Sequence, residues 1–126
     1  MNAILLVFAG GGLGAVCRYL SGHAVARLAG LAFPWGTLFV NVAGSFLMGL
    51  LIAWLARRSM GDANLRLLLA TGFLGGFTTF SAFSLDVVTL YERGEIGAAA
   101  GYVIASVVLS VSALFAGLAA VRQMAG

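Results

Sequence analysis

Apolar residues run through this chain in four long stretches, and charged residues mark where the stretches end. The first covers roughly residues 2–29; it is uncharged as far as Cys17 and then carries Arg18, His23 and Arg27. The second, 36–57, holds no charge before its closing Arg57. The third, 65–91, contains Asp86, and the fourth, 96–122, is uncharged until Arg122. About 20 apolar residues carry a helix across a bilayer, so the pattern predicts an all-α membrane protein with four transmembrane helices. The apolar positions are continuous rather than alternating with a period of two, which argues against a β-barrel. Residues 1–126 then form one four-helix domain, with both termini on the same side.

The connections are short. Pro34 has a fixed φ that suits a turn just ahead of a helix, and Trp35 beside it reads as an interfacial aromatic. Residues 57–66 contain Gly61, Asp62 and Asn64, which are turn and N-cap types. Gly94 marks the last turn.

Composition settles the solvent. Of the 126 residues, 62% are hydrophobic and 9% charged, with a mean hydropathy of +1.08; a soluble domain carries roughly a quarter charged residues. The net charge of +3 does not imply a nucleic-acid partner. Of the seven basic residues, all arginine, Arg57, Arg58, Arg66 and Arg122 fall at segment ends, where membrane topology puts them. No basic stripe with interleaved aromatics is present. Four arginines (57, 58, 66 and 122) on the side of the termini face two (27 and 93) on the other, a small bias partly offset by Asp62 and compatible with insertion in both orientations. Cys17 is the sole cysteine, which rules out an intrachain disulfide. The first stretch lacks the basic leader of a signal peptide and is expected to stay in the mature protein. His23 and Cys17 have no nearby carboxylate to orient a catalytic pair, so an enzyme is not expected.

Polarity that survives inside lipid needs a partner or a purpose. Thr37, Asn41 and Ser45 recur every four residues and share one helix face. Tyr102, Ser106 and Ser110 repeat that spacing on the fourth segment. Such stripes can glue helices together, or a Ser can bond back to its own helix; two facing stripes would make an uncharged, water-tolerant track. In the third segment Gly75 and Gly76 precede two β-branched threonines, Thr78 and Thr79, a poor helix interior. A helix break is expected near the middle of this span, freeing backbone carbonyls that can hold a cation. Phe80 and Phe83 lie three apart, and a phenyl ring has a positive edge that an anion can approach; the same rings can equally fill a core. Arg18 is a candidate partner for Asp86. Gly10/Gly14, Gly72/Gly76 and Gly97/Gly101 each carry the four-residue spacing that lets helices pack closely.

These residues resemble the CrcB/Fluc family of small fluoride channels. The resemblance lies in Gly11-Gly12-Leu13-Gly14-Ala15 with Arg18-Tyr19, in Gly36-Thr37-Leu38 with Asn41, Gly44, Ser45 and Gly49, and in Gly75-Gly76-Phe77-Thr78-Thr79-Phe80-Ser81 with Phe83-Ser84. It covers the whole chain, and the last element is specific. It implies an antiparallel, dual-topology homodimer in the inner cell membrane, passing fluoride outward without an energy source. It implies that Asn41 and the ring edges of Phe80 and Phe83 contact the ion, with Thr37, Ser81, Tyr102, Ser106 and Ser110 along the polar track. It implies a central structural sodium on the carbonyls of Gly75 and Thr78, and a structural or electrostatic role for Arg18. Two positions depart from the pattern: Leu114 stands where the track can continue, and Asp86 where Glu is expected at least as often. A small proton-coupled multidrug exporter would need an acidic residue in its first helix, which residues 3–17 lack. A non-transporting assembly subunit would explain the glycines but not two neutral stripes plus a break.

Overall fold

A computed structural model describes residues 2–58 and 63–124. Four spans in it are long and apolar enough to cross a membrane: Ala3–Ala29, Trp35–Arg57, Ala63–Glu92 and Ile96–Met124. All regular structure among the described residues is helical. Helix α1 (Ala3–Ala29) starts at Asn2, whose Oδ1 accepts the Ile4 amide at 2.7 Å, an N-cap. It stops at Gly30, whose φ of 85° lies in the region that glycine adopts without a Cβ penalty. Helix α2 (Trp35–Arg57) begins one residue earlier than expected, because Pro34 itself is the cap and its carbonyl accepts the Leu38 amide.

The third span is composite. A short turn, α3 (Ala63–Arg66), runs into a π-helical stretch, Leu67–Leu74, and then into α4 (Gly75–Phe77). The π winding shows at Gly75, whose amide reaches back five residues to the Ala70 carbonyl. Residues 78–80 leave the helix, and α5 (Ser81–Glu92) resumes it. The break therefore exists but falls just after the Gly75-Gly76 pair, which stays helical. Asn64, read as a turn or cap residue, lies inside α3 instead; Gly61 and Asp62 lie outside the described residues. Helix α6 (Ile96–Met124) completes the bundle.

Glycine brings the backbones together. A Cβ on Gly10 would meet the Leu68 carbonyl, one on Gly14 the Phe73 carbonyl, and one on Gly76 the Gly11 carbonyl. The first two glycine pairs thus pack against each other and seat α1 on the first half of the third span, as expected of helices that associate in lipid by close fit. A second seam, which the four-residue motifs did not flag, joins α2 to α6 at Gly49 and Gly117. Gly97 and Gly101 do not repeat this, since a Cβ on either would meet nothing within 4 Å. One cluster of the buried core is formed by Leu38, Leu90, Ala99 and Tyr102. Many large apolar side chains, among them Ile4, Phe8, Leu13, Val107 and Phe115, are exposed on the outside, a surface suited to lipid.

Candidate functional site

The break is tied down from two helices. In an unbroken helix the Thr79 amide would bond the Gly75 carbonyl; here it donates to Asn41 Oδ1 at 2.8 Å, while Asn41 Nδ2 donates to the Thr79 carbonyl at 2.9 Å. From α1, Arg18 Nε donates to the Gly76 carbonyl at 3.0 Å. Thr79 Oγ1 accepts the Ala82 amide at 3.1 Å, capping α5 from the position three residues before it. The Thr78 hydroxyl donates to the Leu74 carbonyl at 2.9 Å and closes the preceding helix.

Beside the break lies a groove of about 420 Å³. Asn41, Ser45, Thr78, Thr79, Phe80, Phe83, Ser106 and Ser110 line it, together with Met48, Val107, Val111 and Leu114. Of the residues expected along the ion's path, five therefore line this one groove: Asn41, Phe80, Phe83, Ser106 and Ser110. The Phe80 and Phe83 rings are 5.4 Å apart, inclined at 50°, and Phe80 is 77% exposed at the groove's open side. The Ser106 hydroxyl is different in kind. The residue is only 7% exposed, and its Oγ has no hydrogen-bond partner. A buried hydroxyl without a partner costs free energy, and Ser106 is one of the residues that line the groove. Leu114 also lines the groove, so the α6 stripe ends on an apolar side chain.

The remaining predicted residues sit elsewhere. Tyr102 is completely buried, and its hydroxyl donates to Asp86 Oδ2 at 3.0 Å. Thr37 lies against the same phenol. Asp86 thus pairs with Tyr102, and the expected Arg18–Asp86 pair is not formed, because Arg18 is spent on the break. Phe83 links the two regions, with its ring 5.1 Å from that of Tyr102. Ser81 is exposed, its Oγ 3.4 Å from Thr79 Oγ1, and does not line the groove. Arg18, His23, Thr37 and Thr79 line a separate polar cavity of about 190 Å³ near the other side of the break. At the α5–α6 turn, Arg93 bonds the Ala32 carbonyl at 2.8 Å and pairs with Glu95 at 2.9 Å on the surface.

No cluster of His, Cys, Asp or Glu able to hold a metal occurs among the described residues. The carbonyls at the break offer a different donor set. That of Gly75 has lost the Thr79 amide to Asn41, and Thr78 is extended, with φ −90° and ψ 159°. Carbonyl oxygens of this kind suit a hard cation. Sequence reasoning missed Thr79, whose main chain and hydroxyl together make the centre of the brace. A faint signal existed in a threonine three residues ahead of Ala82, the spacing of a helix cap.

Residues 5–118 match the family model described as CrcB-like protein, Camphor Resistance (CrcB). The chain is 57% identical over 124 residues to the fluoride-specific ion channel FluC of Agrobacterium fabrum, covering 98% of this chain and 99% of that protein. It is 58% identical over 122 residues to the protein of the same name from Rhodospirillum centenum, covering 97% of each. With that of Rhizobium meliloti the identity is 55% over 124 residues, covering 98% and 99%.

Proposed function

The chain belongs to the CrcB-like family, and on that premise we infer that it is a fluoride-selective ion channel through which fluoride leaves the cell passively. The observation that carries the reading in the structure is the unpartnered hydroxyl of Ser106 in the wall of the groove. Fluoride is small and strongly hydrated, so a pathway must replace its water with donors. Ser106 and Ser110 offer uncharged hydroxyls, and the Phe80 and Phe83 edges add weak positive potential. A neutral lining binds the ion without trapping it, as conduction requires. An interior-negative potential drives an anion outward by about 2.3 kcal/mol per 100 mV, which is enough to lower cytoplasmic fluoride and relieve its toxicity.

The working unit is a homodimer of antiparallel copies in the inner cell membrane. The groove supports this, since it is open on the side where Phe80 is exposed and a second copy could complete it. The small size of the arginine bias, four against two, supports dual topology. A structural sodium ion would be held by the carbonyls of Gly75, which has lost the Thr79 amide, and of the extended Thr78. When bound, it would supply positive charge at membrane depth, where an anion is otherwise opposed. This chain's own part is to present those oxygens, which it does by holding residues 76 and 79 to α1 and α2.

The test is fluoride efflux from liposomes holding the purified protein, followed with a fluoride electrode and with chloride as control. Fast fluoride release with negligible chloride release is expected. Absence of fluoride release would refute the function.

A further inference from the structure

The polar cavity of about 190 Å³ beside the break has no part in the pathway described so far. Arg18, Tyr19 and His23 line it from α1, Thr37 from α2, and Thr79 and Ala82 from the break and the start of α5. Thr79 also lines the groove, so the two spaces share that residue.

The charge around this cavity is one-sided. Arg18 gives Nε to the Gly76 carbonyl at 3.0 Å, and a guanidinium has further donors on its Nη atoms. His23 lines the same space, its ring 4.4 Å from that of Tyr19. Thr37 and Val40 from α2, and Thr79 and Ala82 beyond them, carry no charge, and no carboxylate lines the cavity among the described residues. Asp86, one turn past Ala82, lines a neighbouring cavity with Arg93 and holds the Tyr102 hydroxyl. Arg93 is paired with Glu95, and Arg27 follows His23 by one turn on α1. One water occupies about 30 Å³ in the liquid, so the space admits a small anion with part of its hydration shell. Arg18 is always charged, whereas an imidazole ordinarily changes charge between about pH 5 and 8. Protonation gives it a second N–H donor and a positive charge.

We propose that this cavity is an entry site for small inorganic anions and that His23 sets its affinity, holding an anion more tightly when the imidazole is protonated. The consequence for transport rests on the fluoride-channel reading; the anion binding does not.

His23 is the only histidine of the chain, so the imidazole nitrogen signals of tag-free, ¹⁵N-histidine-labelled protein report on this place alone. Sodium fluoride is exchanged for sodium gluconate, at constant sodium, around the full-length chain in lipid nanodiscs at pH 6 and at pH 8. The half-saturating fluoride concentration should be about ten-fold lower at pH 6, the low end of what one added opposite charge does at close range. Equal half-saturation at the two pH values, or imidazole signals that fluoride moves at neither, would overturn the proposal. In liposome efflux, corrected with protein-free liposomes, the fluoride concentration giving half-maximal rate should differ between pH 6 and pH 8 by the same ratio. The ratio should vanish in His23→Gln, which is never charged, and in His23→Lys, which stays charged and should keep the low value at both. A parent without the ratio, or either variant with it, would overturn the role of His23. Should the nitrogen signals show pH-dependent binding while the parent releases no fluoride at all, the function would be refuted and the anion site would stand.

Discussion

Replacing Ser106 by alanine should move stability and transport in opposite directions. The residue is 7% exposed, and its hydroxyl has no partner in the protein. Leaving such a group unsatisfied costs about 1–3 kcal/mol, and alanine removes it while favouring helix slightly more than serine does. The variant should therefore be as stable as the parent or more so, by about 1 kcal/mol. Transport should suffer, because a hydrogen bond to a charged partner contributes about 1.5–3 kcal/mol. At about 1.4 kcal/mol per factor of ten, losing it where the ion must shed water predicts a fluoride flux lower by roughly ten- to hundred-fold. The assays are thermal unfolding in detergent and fluoride efflux from liposomes at matched protein content. A variant that loses stability and flux together would mark Ser106 as a packing residue. Undiminished flux would show that the ion does not use this hydroxyl, and either outcome would refute the reasoning.

Phe80→Ile keeps apolar bulk but deletes the ring edge at the open side of the groove; flux should fall by about ten-fold or more while the dimer still forms by size-exclusion chromatography. Gly76→Ala places a methyl against the Gly11 backbone, which cannot swing aside as a side chain could, and should cost about 1–3 kcal/mol in a denaturation assay. Gly101→Ala, where a Cβ would meet nothing within 4 Å in the chain, should leave the unfolding midpoint of the monomer fold unchanged. Tyr102→Phe deletes the 3.0 Å bond to Asp86 and should destabilise by about 1 kcal/mol, measured the same way.

The four spans were legible because hydropathy is a local property, and the boundaries of α1 and α6 follow their residues closely. The break was legible in kind but displaced. Gly75 and Gly76 are weak helix formers, yet Gly76 packs on Gly11 and the helix persists through Phe77 before giving way at Thr78. The π winding of Leu67–Leu74 has no signal in local hydropathy, which is apolar throughout apart from Thr71. Within the site, four-residue spacing identified Ser106 and Ser110 but also gathered Tyr102 into the same stripe. Spacing places residues on a helix face; it does not say what that face meets. Tyr102 meets Asp86, and Arg18 meets a carbonyl 58 residues away. The role of Thr79 was hidden for the same reason, since its partner Asn41 lies 38 positions earlier.

The distribution of the tethers at the break has a consequence for biogenesis. Both anchors, Arg18 and Asn41, are upstream of the segment they hold. A ribosome delivering the chain from its N-terminus places α1 and α2 in the bilayer first. When the discontinuous third span emerges, the groups that will satisfy its displaced peptide units are already waiting beside it. The costly interval of exposed main chain in hydrocarbon is thereby kept short, an order that a circular permutation starting at residue 63 would reverse.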